Sequence, residues 1–452
     1  MIKKILVANR GEIAVRIIRA CRDMGIESVA VYSLPDESSL HAQLADEAIC
    51  IGPAAAKDSY LNPYNILSAA FVTGADAIHP GYGFLAENPK FVEMCRKCGM
   101  VFIGPDASSM EKAGNKLFAR RMMHKVDVPI IPGTLEPLAS VEEALCEAEK
   151  TGYPVMIKAA AGGGGRGIRK VLDGSGMRAA FEAAGAEALA AFGDGTLYLE
   201  KCMDDARHIE VQLLFDNFGK GVYLFERECS LQWRNQKVME EAPSPGIGPE
   251  LRKEIGRAAL RAAKALDYKN AGTIEFLMDM DGNFYFMELN ARIQVEHPVT
   301  EMITGMDIVK EQIKIAAGEP FAYKQSDIKM SGHAIECRIN AEDPSKGFLP
   351  SSGAIRLMHL PGGPGVRVDT ALYVGCEVPP YYDSMIAKLI VHGQDRDQAM
   401  AKMRSALSEL MIDGVETNVD FQIDLLTHPE VMAGALDTGL VGRIMEECDG
   451  LI

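Results

Sequence analysis

The chain has 452 residues, of which 48% are hydrophobic and 24% are charged, a balance that excludes a disordered protein. At roughly 150 residues per domain, this length indicates about three domains. The 63 acidic and 47 basic residues give a formal charge of -16, which argues against nucleic acid as a main partner but leaves room for a small anionic substrate.

The first part of the chain alternates short apolar strands with helical periodicity, the order of an open parallel sheet. The predicted strands cover residues 3–8, 28–33, 47–51, 77–79 and 101–103, and the first helix carries Ile13, Ile17, Ile18 and Cys21. This pattern predicts an N-terminal α/β domain over residues 1–114. No G-x-G-x-x-G motif follows the first strand, which makes dinucleotide binding a poor interpretation.

Two further regions follow, and neither contains an internal repeat. The second, over residues 115–330, has predicted helices at 116–125, 141–150 and 177–191 and strands at 153–159, 167–171, 197–200 and 208–215. The third, over residues 331–446, has predicted strands at 334–339 and 385–391 and a helix at 395–410. We therefore expect α/β and α+β architecture, with an open parallel domain first and a mixed α+β domain last.

A glycine loop, Ala160–Gly167, interrupts the second region with four consecutive glycines. Without Cβ atoms, its backbone N–H groups can converge on phosphate oxygens. The loop is not a Walker A motif, because Ile168 stands where that motif requires lysine. Strand patterns on both sides indicate a mobile hairpin lid over phosphates, with Lys158 on the incoming strand in reach of them. The alternative is an ordinary mobile loop.

A second feature is a hairpin pattern in which Asp281 and Gly282 give a strong signal for a two-residue turn. With that turn, Glu275 lies directly opposite Glu288 on one face of the hairpin. Thr273, Asn290 and, if the strand continues, Arg292 are predicted on the same face, and Ile274, Phe276, Met278, Met287 and Leu289 on the apolar one.

Two opposed carboxylates whose Cβ atoms lie ~5 Å apart repel each other, which is a poor arrangement for stability alone. A divalent cation between them reverses that repulsion. Oxygen ligands near a triphosphate favour Mg²⁺, with Mn²⁺ as a substitute. The alternative is a solvated acidic hairpin whose carboxylates pair with arginines, and the hairpin by itself leaves both interpretations open.

The sequence also predicts a cytoplasmic location without membrane contact. The N-terminal apolar run is too short for a signal peptide, and no stretch approaches the ~20 uncharged apolar residues that span a bilayer. The ten cysteines are scattered. Cys95 and Cys98 have the spacing of a redox pair, but their segment has helical periodicity and no second pair exists to bind zinc. We expect reduced thiols.

Further motifs extend the pattern along the chain. Tyr153–Lys158 before the glycine loop and Phe286–Arg292 in the acidic hairpin resemble the ATP-grasp superfamily. Six more motifs, Arg10–Ile17, His79–Asn88, Glu226–Ser230, Arg292–Glu301, Glu336–Asp343 and Pro379–Met385, resemble the biotin carboxylase family. A single glycine loop is a weak signal, whereas six motifs in this order are specific. The resemblance covers essentially the whole chain, to about residue 446.

The resemblance implies an ATP-dependent ligase. In that reaction Mg·ATP phosphorylates bicarbonate to carboxyphosphate, and the released CO₂ is transferred to N1′ of biotin on a carrier protein. This is the first step of acetyl-CoA carboxylase, in malonyl-CoA and fatty acid synthesis. The resemblance further implies an ATP-grasp domain over residues 115–330, with its mobile lid at about 131–203, and a homodimer.

The partners follow from the same resemblance. The chain lacks an A-M-K-M biotinylation motif and stops after the carboxylase segment. We therefore expect the biotin carboxyl carrier protein and the carboxyltransferase subunits to be separate chains. The acyl acceptor stays open, and a subunit of a propionyl-CoA or pyruvate carboxylase is the alternative.

Roles at matching positions are also implied. Phosphate contacts are implied for Lys116, Lys158, Gly163, Gly164 and Gly165. Nucleotide contacts are implied for Glu200, Lys201, Met203, His208 and Gln232. Metal binding is implied for Glu275, Glu288 and Asn290. Lys237, Arg292, Gln294 and Val295 are implied to surround bicarbonate, with Glu296 as its general base. At biotin, Arg338 is implied to stabilise the enolate, and Tyr82 and Gly83 to lie at the ureido ring.

The residue types suit these roles. Bicarbonate is a weakly nucleophilic anion, so it needs a fixed cation and a base within hydrogen-bond reach. Arg338 stays protonated and can stabilise charge that develops on the biotin oxygen. The alternative for Arg338 is a salt bridge with Glu336 or Glu342, and the alternative for Glu296 is an exposed carboxylate.

Two residues depart from the family's pattern. Trp233, the only tryptophan, replaces a cation, and Asn235 replaces a histidine near the nucleotide, whereas Lys237 is retained. Another ATP-grasp ligase, such as half of a carbamoyl-phosphate synthetase, would lack the motifs around Tyr82, Glu296 and Arg338. A non-catalytic nucleotide-binding regulator would be expected to lose a catalytic residue, and none is lost.

Overall fold

The computed structural model describes residues 2–161 and 167–449. Its N-terminal elements are β1 (Lys4–Val7), α1 (Gly11–Asp23), β2 (Glu27–Ser33), α2 (Leu40–Leu44), β3 (Glu47–Gly52), α3 (Pro63–Thr73), β4 (Ala77–His79), α4 (Pro89–Lys97), β5 (Val101–Phe102) and α5 (Ala107–Gly114). The strands form one sheet in the order β3-β2-β1-β4-β5, and every pair is parallel. The predicted open parallel sheet is therefore confirmed. Asn62 and Asn88 cap α3 and α4, each followed by a proline in the first turn.

A small antiparallel sheet flanks the glycine loop. Its region contains α6 (Lys116–Lys125), α7 (Val141–Thr151), β6 (Val155–Ala159), β7 (Ile168–Val171), α8 (Met177–Phe192) and β8 (Leu197–Lys201). The strand order is β7-β6-β8, so β6 and β7 enclose the glycine loop as the sequence predicts. Apolar residues such as Val155, Ile157 and Leu199 are fully buried against α7 and α8.

A large antiparallel sheet forms the centre of the molecule. The elements around it are β9 (Arg207–Phe215), β10 (Gly221–Trp233), β11 (Gln236–Ala242), α9 (Pro249–Ala265), β12 (Asn270–Met278), β13 (Phe284–Asn290), α10 (His297–Thr304), α11 (Ile308–Ala316) and β14 (His333–Asn340). Helix α9 packs on the apolar face of β9, β10 and β12, with Ile255, Ala259 and Ala263 fully buried. The opposite face of these strands carries polar residues.

The C-terminal part continues this sheet and adds short hairpins. Its remaining elements are β15 (Glu342–Asp343), β16 (Leu349–Pro350), β17 (Gly353–Ala354), β18 (Leu357–His359), β19 (Val366–Thr370), β20 (Glu377–Val378), β21 (Met385–Gly393), α12 (Arg396–Glu409), β22 (Met411–Asp413), α13 (Val419–Thr427), α14 (Pro429–Ala433) and α15 (Leu440–Asp449). The complete order is β13-β12-β9-β10-β11-β14-β21-β19, so one eight-stranded sheet crosses residue 330. The mixed α/β and α+β architecture is confirmed.

The acidic hairpin differs from the prediction in its turn. Its loop runs from residue 279 to 283 instead of being a two-residue turn, because the Asp279 carboxylate accepts hydrogen bonds from the backbone N–H groups of Asp281 and Asn283. This turn sets a register that differs by one residue from the expected one. A bulge beyond Phe276 restores the expected register, so Glu275 still pairs directly with Glu288.

The same register shift corrects the predicted apolar face. Ile274, Phe276, Met278 and Leu289 are buried as expected, but Met287 is only half-buried at the bulge. Phe284 and Phe286 are buried in its place and complete the core under α9. Among the residues that the structure describes, no helix is both long enough and apolar enough to cross a bilayer.

Candidate active site

Polar side chains converge around Glu275 on the polar face of the large sheet. Glu275 is 5% exposed and lies directly opposite Glu288 on one neighbouring strand and Glu210 on the other. Its carboxylate accepts hydrogen bonds from Asn290 Nδ2 at 2.8 Å and Gln294 Nε2 at 3.1 Å. The structure thus brings together four residues that the sequence assigned to the site, and it adds Glu210.

Two basic side chains complete the surroundings of Glu275. His208 Nε2 lies 3.2 Å from one carboxylate oxygen, and Lys237 Nζ lies 3.4 Å from the other. Burial alone raises the pKa of Glu275, but Lys237 and His208 outweigh burial and hold the pKa below its ordinary value. Gln232 orients the histidine, because its Nε2 donates to His208 Nδ1 at 2.8 Å. Glu275 is therefore ionised at neutral pH.

The opposed carboxylate, Glu288, bonds a different lysine. Lys116 Nζ lies 2.8 Å from Glu288 Oε2. Burial alone lowers the pKa of Lys116, but Glu288 raises it above its ordinary value. Glu275, Glu288 and the amide oxygen of Asn290 form a set of hard oxygen ligands, which is the set that Mg²⁺ prefers. These residues therefore fit a magnesium ion, which would compete with Lys116 for Glu288.

Lys237 links the acidic pair to the predicted general base. Its Nζ lies 2.5 Å from Glu296 Oε1 and 2.6 Å from Glu210 Oε2. Glu210 is fully buried and also bonds Arg227 Nε at 2.5 Å, so it balances two cations. Burial alone lowers the pKa of Lys237, but the three surrounding carboxylates raise it well above its ordinary value. Lys237 is therefore a fixed positive charge.

Glu296 is 1% exposed and lies between two cations. Arg338 Nη2 is 3.0 Å from its second carboxylate oxygen, opposite the contact with Lys237. Burial alone raises the pKa of Glu296, but Lys237 and Arg338 lower it well below its ordinary value. The ionised carboxylate can accept a proton, and a ligand that draws either cation away increases its basicity.

Arg338 has a second carboxylate partner that the sequence did not indicate. Its guanidinium lies 2.5 Å from Glu240 Oε1. Burial raises the pKa of Glu240 to about 7, although Arg338 opposes that shift. The alternative partners expected from the sequence lie elsewhere: Glu342 bonds Ser384, and the Glu336 carboxylate has no hydrogen-bond partner among the described residues.

Arg292 lies at the more open side of the same cluster. Its Nε bonds Glu87 Oε2 at 3.0 Å, and its Nη1 donates to Gln294 Oε1 at 2.5 Å. Burial alone lowers the pKa of Arg292, but Glu87 and Glu296 raise it above its ordinary value. The guanidinium is thus held beside the acidic pair with its plane fixed at both edges.

A separate ion-pair cluster lies between the small sheet and α6. Glu200 is 3% exposed and bonds Lys158 Nζ at 2.5 Å and Arg120 Nη1 at 2.7 Å. Lys201, its neighbour, donates instead to the carbonyl oxygens of residues 152 and 153, and Met203 is half-buried. Gly163, Gly164 and Gly165 lie outside the described residues.

The loop after β4 carries the two residues that the sequence assigned to biotin. Asn9 Nδ2 donates to the carbonyl oxygens of Pro80 and Tyr82, both at 2.7 Å, and so fixes the loop. Gly83 has φ +69°, a left-handed conformation that favours glycine. The Tyr82 hydroxyl donates to Glu12. Lys388, which lies directly opposite Arg338 on the neighbouring strand, has its Nζ 6.0 Å from the centroid of the Tyr82 ring.

Several charged partners escaped the sequence analysis. They are Glu12, Glu87, Arg120, Glu210, Arg227 and Glu240. One signal was available for Glu210: on β9 the polar residues His208, Glu210 and Gln212 alternate with apolar ones, and all three are buried. Such an alternation on a buried strand indicates a polar face that needs partners.

Family models match nearly the whole chain. "Biotin carboxylase, N-terminal domain" matches residues 1–110, "Carbamoyl-phosphate synthase L chain, ATP binding domain" matches 115–324, and "Biotin carboxylase C-terminal domain" matches 336–443. Biotin carboxylase 1 of Bacillus subtilis is 55% identical over 97% of this chain and 98% of its own length.

Two solved structures are similar over almost their full length. The biotin carboxylase of Campylobacter jejuni, in complex with β,γ-ATP, has a TM-score of 0.95 and 47% identity, over 98% of this chain and 99% of that one. The biotin carboxylase domain dimer of Hydrogenobacter thermophilus 2-oxoglutarate carboxylase, with MgADP, ADP and bicarbonate, has a TM-score of 0.93 and 49% identity, over 98% of both chains. The chain therefore belongs to the biotin carboxylase family, and it is an ATP-dependent ligase with an ATP-grasp fold.

Proposed function

We propose that this chain carboxylates N1′ of biotin on a separate carrier protein, with Mg·ATP and bicarbonate and through carboxyphosphate. The observation that carries the proposal is the continuous series of contacts from Glu275 through Lys237 and Glu296 to Arg338. This series supports the proposal, because the roles that we assign along it, a metal ligand, an anion-binding cation, a base and a second cation, follow the order in which the two half-reactions need them.

Nucleotide and metal occupy one end of this series. We assign the phosphates to Lys116, Lys158 and the loop glycines, and the base and sugar to Glu200, Lys201, Met203, His208 and Gln232. Glu275, Glu288 and Asn290 hold Mg²⁺ or Mn²⁺, which neutralises phosphate charge when bound. His208 and Lys237 already fix the Glu275 carboxylate in an ionised, hydrogen-bonded position, so this ligand is preorganised.

Bicarbonate occupies the middle of the series. Lys237 and Arg292 supply positive charge, and Gln294 with the backbone at Val295 orients the anion. Glu296 accepts the bicarbonate proton. An anion that binds Lys237 weakens the ion pair between Lys237 and Glu296. The Glu296 carboxylate therefore becomes more basic when bicarbonate, which carries the proton to be removed, is bound.

Biotin occupies the far end. Loss of the N1′ proton builds negative charge on the ureido oxygen, and Arg338 stays protonated to stabilise it. The pKa of Arg338 lies above its ordinary value, because Glu240 and Glu296 outweigh the opposing effect of burial. Tyr82 and Gly83 border the ring.

We further propose that the chain works with a biotin carboxyl carrier protein and carboxyltransferase subunits as the first component of acetyl-CoA carboxylase. The alternative is the biotin carboxylase subunit of a propionyl-CoA or pyruvate carboxylase. Domain boundaries at 114 and 330 with a lid at about 131–203, a homodimer and a cytoplasmic location are part of this proposal. Complementation separates these acceptors. The chain is expressed in strains that each lack the biotin carboxylase component of one of these carboxylases, and the strain whose growth it restores identifies the acceptor.

The direct test is carboxylation of free biotin by the purified chain. We expect activity that requires both ATP and bicarbonate. Glu296→Ala and Arg338→Ala should abolish biotin carboxylation and retain Mg·ATP binding. Arg356→Ala, at an exposed pair with Asp413, is the control and should retain activity. Normal turnover in either site variant contradicts the assigned roles.

A further inference from the structure

Lys388 lies on β21 with a fully buried side chain, and the proposed reaction gives it no role. A buried ammonium group is costly unless it is paired. Its Nζ lies 2.9 Å from the Val295 carbonyl oxygen and 3.1 Å from Glu12 Oε1, with Asp369 Oδ2 at 4.0 Å. Burial alone lowers the pKa of Lys388, but Glu12, Glu336 and Asp369 raise it above its ordinary value. The group is therefore charged.

The two close acceptors of Lys388 belong to opposite sides of the site. Glu12 on α1 accepts a hydrogen bond from the Tyr82 hydroxyl, and the Tyr82 ring centroid lies 6.0 Å from Lys388 Nζ. Val295 immediately precedes Glu296. One ammonium group therefore bonds both the carboxylate that holds Tyr82 and the peptide that carries Glu296.

The sheet also places this lysine beside Arg338. Lys388 lies directly opposite Arg338 on β14 and opposite Asp369 on β19. Two opposed cations repel each other, so the arrangement needs the nearby carboxylates to be stable. Glu336, on the same strand as Arg338, is fully buried without a hydrogen-bond partner among the described residues, and burial raises its pKa well above the ordinary value. Burial also raises the pKa of Glu12, whereas Arg367 outweighs burial at Asp369 and holds the pKa of that carboxyl below its ordinary value, so Asp369 supplies negative charge beside the two cations.

We propose that Lys388 is a positioning residue that fixes Tyr82 and Glu296 relative to each other, so that the biotin and bicarbonate sides of the site keep one separation. This inference rests on the proposed function. Lys388 acts through Glu12 and Val295, and it touches neither substrate. Transfer of a small group between two bound partners is sensitive to their separation, and a displacement of ~1 Å can cost ~100-fold in rate.

The experiment uses the full chain and Lys388→Met, which removes the ammonium group and keeps an apolar stem of similar length. We expect kcat/KM for biotin to fall by about 100-fold, with a raised KM for biotin and unchanged Mg·ATP affinity. Lys402→Met is the matched control. Like Lys388, Lys402 donates from its ammonium group to a backbone carbonyl, in this case that of His392 near the end of β21, but it lies away from the site. We expect wild-type kinetics for it.

If Lys388→Met does not fold, Glu12→Gln tests the same contact with almost no change of shape. We expect it to raise KM for biotin and to leave Mg·ATP affinity unchanged. Wild-type kcat/KM for biotin in a folded Lys388→Met protein overturns the proposal, and so does an unchanged KM in Glu12→Gln. A wild-type chain that does not carboxylate biotin contradicts the proposed function, whereas equal kcat/KM for biotin in an active wild type and in Lys388→Met contradicts only the role of Lys388.

Discussion

Replacement of Arg338 by methionine should move the pH dependence of the bicarbonate half-reaction. Arg338 lies 3.0 Å from Glu296 and, with Lys237, keeps the pKa of that carboxyl well below its ordinary value against the effect of burial. Arg338→Met removes one of the two cations and leaves the burial unchanged. The pKa of Glu296 should therefore rise.

The size of the shift follows from the geometry. Two unit charges ~4 Å apart interact by about 4 kcal/mol at an effective dielectric constant of about 20, which equals about 3 pKa units. Arg338 shares its charge with Glu240 at 2.5 Å, so Glu296 receives only part of this effect. The pKa of Glu240 is about 7 already, and without Arg338 this carboxyl becomes neutral and no longer repels Glu296. We therefore expect a rise of about 1–2 units.

ATP hydrolysis that depends on bicarbonate, measured without biotin over about pH 3–9 at a fixed bicarbonate concentration, reports this half-reaction. A base works only when it is ionised, so the rate falls as the pH drops through the pKa of Glu296. A raised pKa moves this acidic limb to higher pH. Arg356→Met is the control and should leave the limb in place. A folded Arg338→Met protein whose acidic limb coincides with that of the wild type would refute the assignment of Glu296 as the base.

Glu288→Gln should raise the Mn²⁺ concentration for half-maximal ATP hydrolysis at least ~10-fold, because the variant loses a charged oxygen ligand; an unchanged requirement argues against the metal site. The pKa values of Glu275 and Glu296 are lowered, so both contribute stability that is complete above about pH 4.3 and is lost as the pH falls through their folded-state values. The free energy of urea unfolding should therefore decrease as the pH falls below about 4.3, and a flat profile contradicts this. Gly185→Ala in α8 should raise thermal stability by about 0.5–1 kcal/mol, because a Cβ there meets only ordinary van der Waals contacts; a loss of stability shows a clash.

The sequence predicted the position of the acidic pair for a reason that was partly wrong. Glu275 and Glu288 are opposed because a longer turn and a bulge compensate each other. The turn is set by Asp279, whose side chain bonds the backbone of the loop, and such a capped loop competes with the two-residue turn that Asp281 and Gly282 indicate. Local propensity alone does not decide between the two turns.

The long-range partners of the site were not predictable from local pattern. Glu240 reaches Arg338, and Glu12 reaches Lys388, across 98 and more than 300 residues respectively. Periodicity assigns a side chain to a face of a strand but does not identify which buried charge meets it. The motifs identified the residues at the centre of the site, whereas the pairing that sets their pKa values required the sheet order.

The lysines that we assign to phosphate and bicarbonate form ion pairs in this structure. Their partners are the carboxylates that we assign to the metal ion and to proton transfer. Lys116 bonds Glu288, and Lys237 bonds both Glu275 and Glu296. A phosphate that takes Lys116 releases Glu288 for a metal ion, so nucleotide and metal should strengthen each other's binding by the same factor. A bicarbonate that takes Lys237 likewise raises the basicity of Glu296. In the proposed reaction these ion pairs would therefore couple each binding step to the next chemical step, because every ligand would exchange a partner instead of meeting an isolated charge.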